Sequence, residues 1–230
     1  YTTSNNTLKL SAQLFPLYPE ESRIVKLAFS TDNAWKVVQT EQVNEIGWSV
    51  LFRIDNWEVN NNIKYKLIHG KKAFFEGLIR KDPINKAEIK LAALSCNSNK
   101  DRGNRDEYVR NINTLDPDLI FFAGDQSYDH KEHTAAWLKF GIQFRELFRD
   151  RPCITIPDDH DIGQGNLWGE GGKKSMRKDG NDGGYFFHPE YVKMVERAQT
   201  AHLPDPYHKE ELDQGIKAYF TNLKIGDVDF

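Results

Sequence analysis

Residues 151–161 read Arg-Pro-Cys-Ile-Thr-Ile-Pro-Asp-Asp-His-Asp, an apolar β-branched run closed by proline and followed at once by three carboxylates and a histidine. The run 153–156 predicts a buried strand, and Pro157 ends it because proline has no N–H to give to the ladder. Asp158, Asp159, His160 and Asp161 then stand on the loop at the strand's C-terminal end, where open α/β sheets hold their ligands. Three acids this close repel one another unless a cation intervenes. Oxygen and imidazole ligands together suit a divalent or trivalent metal. The plainer alternative is a solvated acidic turn with one capping Asp.

Two further strands precede this one. Residues 89–94 are a short apolar run ending in Ser95-Cys96-Asn97, and a helix is predicted over 105–115. Leu119-Ile120-Phe121-Phe122-Ala123 is continuously apolar, as in a strand buried on both faces. It ends in Gly124-Asp125-Gln126-Ser127-Tyr128-Asp129-His130. A second helix is predicted over 134–150, with Trp137, Phe140, Phe144 and Leu147 as its apolar stripe. Strand, helix, strand, helix, strand argues for a largely parallel α/β layer. All three strands then end in polar loops at one edge.

Downstream, residues 163–184 hold half of the chain's sixteen glycines, with Lys173, Lys174, Arg177 and Lys178 interleaved. That is too long for a simple turn. Two readings stay open: an anion-attracting lid over the site, or a solvated basic loop. Residues 189–200 read as a helix with Pro189 in its first turn. Residues 217–224 read as a strand, and Gly226-Asp227 as a turn.

Upstream, residues 1–87 look all-β. Leu8, Leu10, Ala12 and Leu14 alternate, and further strands are expected over 24–29, 35–39, 47–54, 64–68 and 72–79. Turn signals such as Thr31-Asp32-Asn33 and Asn60-Asn61-Asn62 separate them. Strands at this spacing suggest an immunoglobulin- or fibronectin-like β-sandwich. The polar segment Lys81-Asp82-Pro83-Ile84-Asn85-Lys86 marks the expected boundary, so the domains are 1–87 and 88–230.

Length, 230 residues, allows one large or two ordinary domains. Hydrophobic residues make up 39% and charged residues 28%, a globular balance. A net charge of −3 gives no global field favouring nucleic acid. No apolar run approaches the ~20 residues of a membrane span. Cys96 and Cys153 are too few for a disulfide framework and read most simply as buried thiols. There is no Gly-x-Ser-x-Gly elbow and no Walker loop. A cluster of Cys, Asp, Tyr and His suits a metal site better than nucleophilic hydrolysis. Thiolate and phenolate stabilise oxidised iron, and carboxylate and amide oxygens suit calcium, magnesium or manganese.

Three segments together resemble the PhoD-like alkaline phosphatases, a branch of the calcineurin-like metallophosphoesterases: Ser95-Cys96-Asn97, Gly124-Asp125-Gln126-Ser127-Tyr128 and Asp158-Asp159-His160-Asp161. Gln164-Gly165-Asn166-Leu167-Trp168-Gly169 and His202-Leu203-Pro204-Asp205-Pro206 extend the likeness, which covers 88–230. The resemblance implies a metal-dependent phosphoric ester hydrolase with a dinuclear centre, Fe(III) with Ca2+ or with Mn2+, Mg2+ or Zn2+. By the same resemblance Cys96 takes the place of an iron ligand, Asp125 bridges the two metals, and Tyr128 gives a phenolate to the iron. His160 stands where the superfamily has its substrate-polarising histidine. Lys173, Lys174 and Arg177 are the candidate anion-binding residues. The substrate implied is a small phosphate ester, and the location implied is outside the cytoplasm: exported, periplasmic or at the cell surface.

Two departures from the family pattern matter. Gly163, Gln164 and Gly165 intervene before Asn166, so the second-metal ligand is either Asp159 or Asn166. The superfamily's downstream Gly-His-x-His motif is missing between 167 and 230. The chain is therefore expected to be the first part of a longer enzyme. The rival reading is a non-catalytic binding module on a degenerate fold.

Overall fold

The structure is a computed structural model that describes residues 1–31, 34–58, 60–98 and 103–230. Seven strands come first: β1 (Thr2–Ser4), β2 (Thr7–Gln13), β3 (Ile24–Thr31), β4 (Ala34–Gln42), β5 (Ser49–Asp55), β6 (Ile63–His69) and β7 (Ala73–Ile79). They form two antiparallel sheets, ordered β1-β2-β5 and β4-β3-β6-β7. Period-two alternation turns Leu8 and Leu10 of β2 and Val50 and Phe52 of β5 inward, where they meet Val25, Leu27 and Phe29 of β3 and Tyr65 of β6. One apolar core thus lies between the sheets. Among the described residues no helix occurs before Arg105. Strand β1 was not expected from its residues, Thr-Thr-Ser. It forms because Asn5 and Asn6 both take left-handed backbone (φ 49° and 57°), the tight turn that closes a two-residue hairpin. The turn expected at Thr31-Asp32-Asn33 lies outside the described residues from Asp32 onward.

The second part is built on β8 (Leu91–Leu94), β9 (Leu119–Phe122) and β10 (Cys153–Thr155), all parallel, in the order β10-β9-β8. Helices α1 (Arg105–Leu115) and α2 (His133–Phe148) cover one face. Ile120 and Phe122 point into that face beside Phe140, Phe144 and Leu147. Phe122 meets the Phe140 ring edge-on at 4.8 Å and the Phe144 ring at 5.1 Å. Full burial of a side chain of that size contributes about 1.5–3 kcal/mol. On the other face Leu119 packs on Leu223 and Ile225. Both faces of β9 are therefore covered, which is why its sequence is continuously apolar.

Local signals set the helix ends. Asn104 caps α1 by accepting from the N–H groups of Asp106 and Glu107. Helix α4 (Pro189–Thr200) begins with Pro189, and the His188 ring accepts from Glu190 N. Its buried face, Val192 and Val195, packs with Ile162 and Ile216.

The strand expected over 217–224 is a correction. Lys217 makes an isolated antiparallel bridge with Glu211, and only Lys224–Ile225 (β11) forms a strand, in a terminal hairpin with Val228–Asp229 (β12) across Gly226, which has φ +59°. Upstream of it the chain is extended but spends its polar groups on the 204–207 segment. Tyr207 N donates to Phe220 O, and the Thr221 hydroxyl donates to Asp205 O. A run with strand-like alternation therefore lacks a ladder neighbour.

The two parts share a seam. Cys153 N donates to Tyr1 O, and the Tyr65 hydroxyl and Leu78 N both donate to Arg149 O. Asp205 accepts from Lys9 and Arg53 across it.

Candidate metal centre

Parallel strands put the three polar corners at one edge of the sheet. The first two corners are latched by the backbone: Cys96 N donates to Gly124 O at 3.3 Å and Asn97 N to Asp125 O at 2.8 Å. Cys96 and Asp125 both carry positive φ, 59° and 55°. Left-handed backbone costs a residue with a Cβ roughly 1–2 kcal/mol, so two such corners side by side mark a site held against local preference. The third corner approaches closely because Gly124 has no side chain; a Cβ there would lie 2.5 Å from Asp158 Cβ.

The acidic run is not a bare loop. Asp159–Ile162 makes one helical turn, α3, closed by Gly163 at φ 93°. Asp158 caps it, accepting from Asp159 N, and Asp161 accepts from the N–H groups of Asp158 and Ser127. Burial pushes Asp161 up to about 7. All three acids accept from backbone N–H groups, Asp159 Oδ1 from His160 N at 3.0 Å, and Asp159 is the one that also reaches the other corners.

Asp125, Asp159 and His160 bring ligand atoms within 4.8 Å of one another. Cys96 Sγ lies 3.6 Å from Asp125 Oδ2, and the Tyr128 hydroxyl donates to the same oxygen at 2.8 Å. The Tyr128 ring rests on the His160 ring, centroids 4.2 Å apart. Neighbouring Cys96, then desolvation, then Asp125 raise the Tyr128 phenol above its ordinary value. Burial raises Asp159, with Asp158 and Asp125 adding to it and His160 opposing. Asp125 is 8% exposed, and its Oδ1 has no hydrogen-bond partner among the described residues. A buried acceptor without a donor is what a cation satisfies. Thiol, phenol, carboxylates and imidazole at one point form a donor set that fits a metal.

The remaining expected residues make contacts of their own. Asn166 is exposed and donates to Asn181 Oδ1 at 3.0 Å. Lys173 pairs with Glu170 and Arg177 with Asp179, both inside the glycine-rich loop. Lys174 is exposed and bridges through its backbone to Tyr185. The loop is ordered by Asp182, which accepts from the Ser175 hydroxyl, Met176 N and Gly184 N. Buried Gln164 spans it, donating to Gly184 O and accepting from Phe186 N. The two cysteines are free, Cys96 exposed and Cys153 buried, and burial pushes the Cys153 thiol up to about 12.

One neighbour of the cluster carried no expectation. His130 Nε2 lies 2.7 Å from His160 Nδ1. The only hint in the sequence is its position two residues after Tyr128.

No family model and no curated protein matches the chain. Solved structures do. The structure titled "Structure of PhoD" is similar with a TM-score of 0.67 and 17% identity, over 98% of this chain and 48% of that one. Purple acid phosphatase PPD1 from yellow lupin (Lupinus luteus) seeds is similar with a TM-score of 0.53 and 13% identity, over 80% of this chain and 38% of that one. The chain spans about half the length of the PhoD structure, and over that span the two folds are alike.

Proposed function

We infer that the whole protein is a metal-dependent phosphoric ester hydrolase acting on small phosphate esters. The observation that carries this reading is the meeting of Asp125, Asp159 and His160 within 4.8 Å at the C-terminal edge of the parallel sheet. The likeness in fold to two phosphatases supports it. In this reading residues 1–87 are an immunoglobulin- or fibronectin-like sandwich and 88–230 the first part of the metallophosphatase layer. The whole protein works outside the cytoplasm. Among the described residues no helix is long and apolar enough to cross a membrane.

Cys96, Asp125 and Tyr128 would hold an iron, and Asp125 and Asp159 would hold a second cation, with calcium first among the candidates. When bound, the dinuclear centre supplies Lewis acidity and water of lowered pKa. Asp125 would serve both cations, since Oδ2 meets Cys96 and Tyr128 and Oδ1 is buried without a partner among the described residues. His160 faces the ester and donates a hydrogen bond to its oxygen. Lys173, Lys174 and Arg177 make the approach to the site less repulsive to an anion. Asn166 remains the alternative to Asp159 for the second cation, by a rotation that frees it from Asn181.

The test is metal analysis by emission spectrometry on the whole protein purified without chelators, together with turnover of p-nitrophenyl phosphate and of its bis ester. Two metals per chain and hydrolysis of either ester are expected. Retained metal with neither ester turned over would replace this reading with that of a binding module.

A further inference from the structure

We propose that His130 is a positioning residue for His160, fixing its ring orientation and its tautomer by donating from Nε2 to His160 Nδ1. The two nitrogens are 2.7 Å apart. The ring centroids are 5.0 Å apart with planes inclined by 26°, so the rings meet edge to edge, nitrogen to nitrogen, rather than face to face. The Tyr128 ring already covers one face of His160 at 4.2 Å. Between them, these contacts leave the His160 imidazole one orientation.

The direction of the bond follows from what His160 has to do, and this step rests on the reading of His160 as the group that faces the ester. An imidazole that meets a phosphoryl or leaving oxygen must offer N–H there, since a bare lone pair would be repelled. With Nδ1 engaged by His130, Nε2 is the nitrogen left for the ester. A neutral His160 carries one ring proton, so Nε2–H requires Nδ1 to accept. With His160 neutral, His130 Nε2 is the donor. The reverse bond would leave Nε2 of His160 as a bare acceptor. A second proton on His160 Nδ1 would reverse the bond to His130 Nε2, so the assignment is that of the neutral His160 ring. The assignment holds whether or not His130 carries a second proton on its Nδ1. A histidine whose far nitrogen is fixed by a neighbour is a general device for setting which nitrogen does the chemistry.

The experiment compares the whole protein, loaded with diamagnetic zinc or magnesium, with His130→Phe and His130→Gln. The ring nitrogens are labelled with 15N, and His160→Gln is used only to assign signals. Phenylalanine keeps the ring and removes the donor; glutamine keeps an amide N–H at the same reach. In the parent protein the His160 ring is expected in the single Nε2–H form. His130→Phe should show both tautomers, with kcat down about 10–100-fold, KM within about twofold and metal content unchanged. His130→Gln should recover the single tautomer and most of kcat. A His160 ring that keeps one tautomer in His130→Phe overturns the proposal, as does a parent ring in the Nδ1–H form. The ring signals are read without turnover. A protein that hydrolyses no ester but shows the tautomer change would therefore keep the positioning role and lose only the catalytic reading.

Discussion

The N–H of Asn97 donates to the carbonyl oxygen of Asp125 at 2.8 Å, and this bond ties the corner that bears Cys96 to the corner that bears Asp125. Both corner residues are left-handed, at φ 59° and 55°. The bond therefore holds two disfavoured backbone conformations together and so brings Sγ within 3.6 Å of the Asp125 carboxylate.

Glycine relieves this strain but removes the sulfur. Cys96→Gly is expected to stabilise the metal-free protein by about 1 kcal/mol, read as the free energy of urea unfolding, and to weaken metal retention. Cys96→Ser keeps the strain. In an iron-loaded sample it should bleach the thiolate-to-iron absorption and leave the fold intact. An unchanged spectrum would remove Cys96 from the ligand set.

Asp125→Ala withdraws the one carboxylate that meets Cys96, Tyr128 and the Asp159–His160 pair. Metal content and ester turnover in the whole protein should fall together, turnover by at least about a hundredfold. Near-normal turnover in that variant would end the shared-site mechanism.

Gly124 lets the third corner in. A Cβ there would stand 2.5 Å from Asp158 Cβ, at a φ of +87°. Gly124→Ala is expected to cost about 1–3 kcal/mol and to loosen metal binding, because Asp158 caps the turn that presents Asp159 and His160. Gly141 is the control: it lies inside α2 with nothing within 4 Å of its Cβ position. Gly141→Ala should raise thermal stability slightly, by about 0.5–1 kcal/mol. Equal effects at the two positions would contradict the close-approach argument.

The contrast between what was legible and what was not follows the range of the interactions. Helices 105–115 and 189–200 were readable because capping is local: Asn104 and Pro189 stand beside the turns they start. The apolar run of β9 announced a covered strand, and parallel order then implied one shared edge. The turn at Asp159–Ile162 is legible only as the alternative of an acidic turn with one capping Asp, because the acids of its capping box also read as ligands. Asp161 and Asp159 differ by two positions, and only the chain's direction decides which faces inward. The His130–His160 contact joins residues thirty apart, and no spacing rule reaches that far. The segment 217–224 failed for the opposite reason: it has a strand's alternation but no strand beside it.

His133 gives the fold an acid limit of its own. It opens α2, is 4% exposed, and lies against Trp137 and Gln199. Its Nε2 is 3.3 Å from the Gln199 amide nitrogen, so it accepts there, and its Nδ1 has no partner among the described residues. Burial disfavours the imidazolium and lowers the pKa to about 4. In the unfolded chain the same ring titrates near ~6.5. Between those values the unfolded state binds the proton and the folded state does not, so stability rises with pH across that window. The contribution is complete above about 6.5, is lost as pH falls toward about 4, and amounts to about 3 kcal/mol over the span. His202, buried and also lowered, acts in the same sense, so the measurement has to be a difference. The free energy of urea unfolding should be followed from pH 7 to pH 4 for the parent protein and for His133→Leu, both free of metal. The two curves should converge on acidification, with the parent losing about 3 kcal/mol more than the variant. Parallel curves would mean that His133 takes up its proton in the folded state, and that the Gln199 contact tolerates the charge.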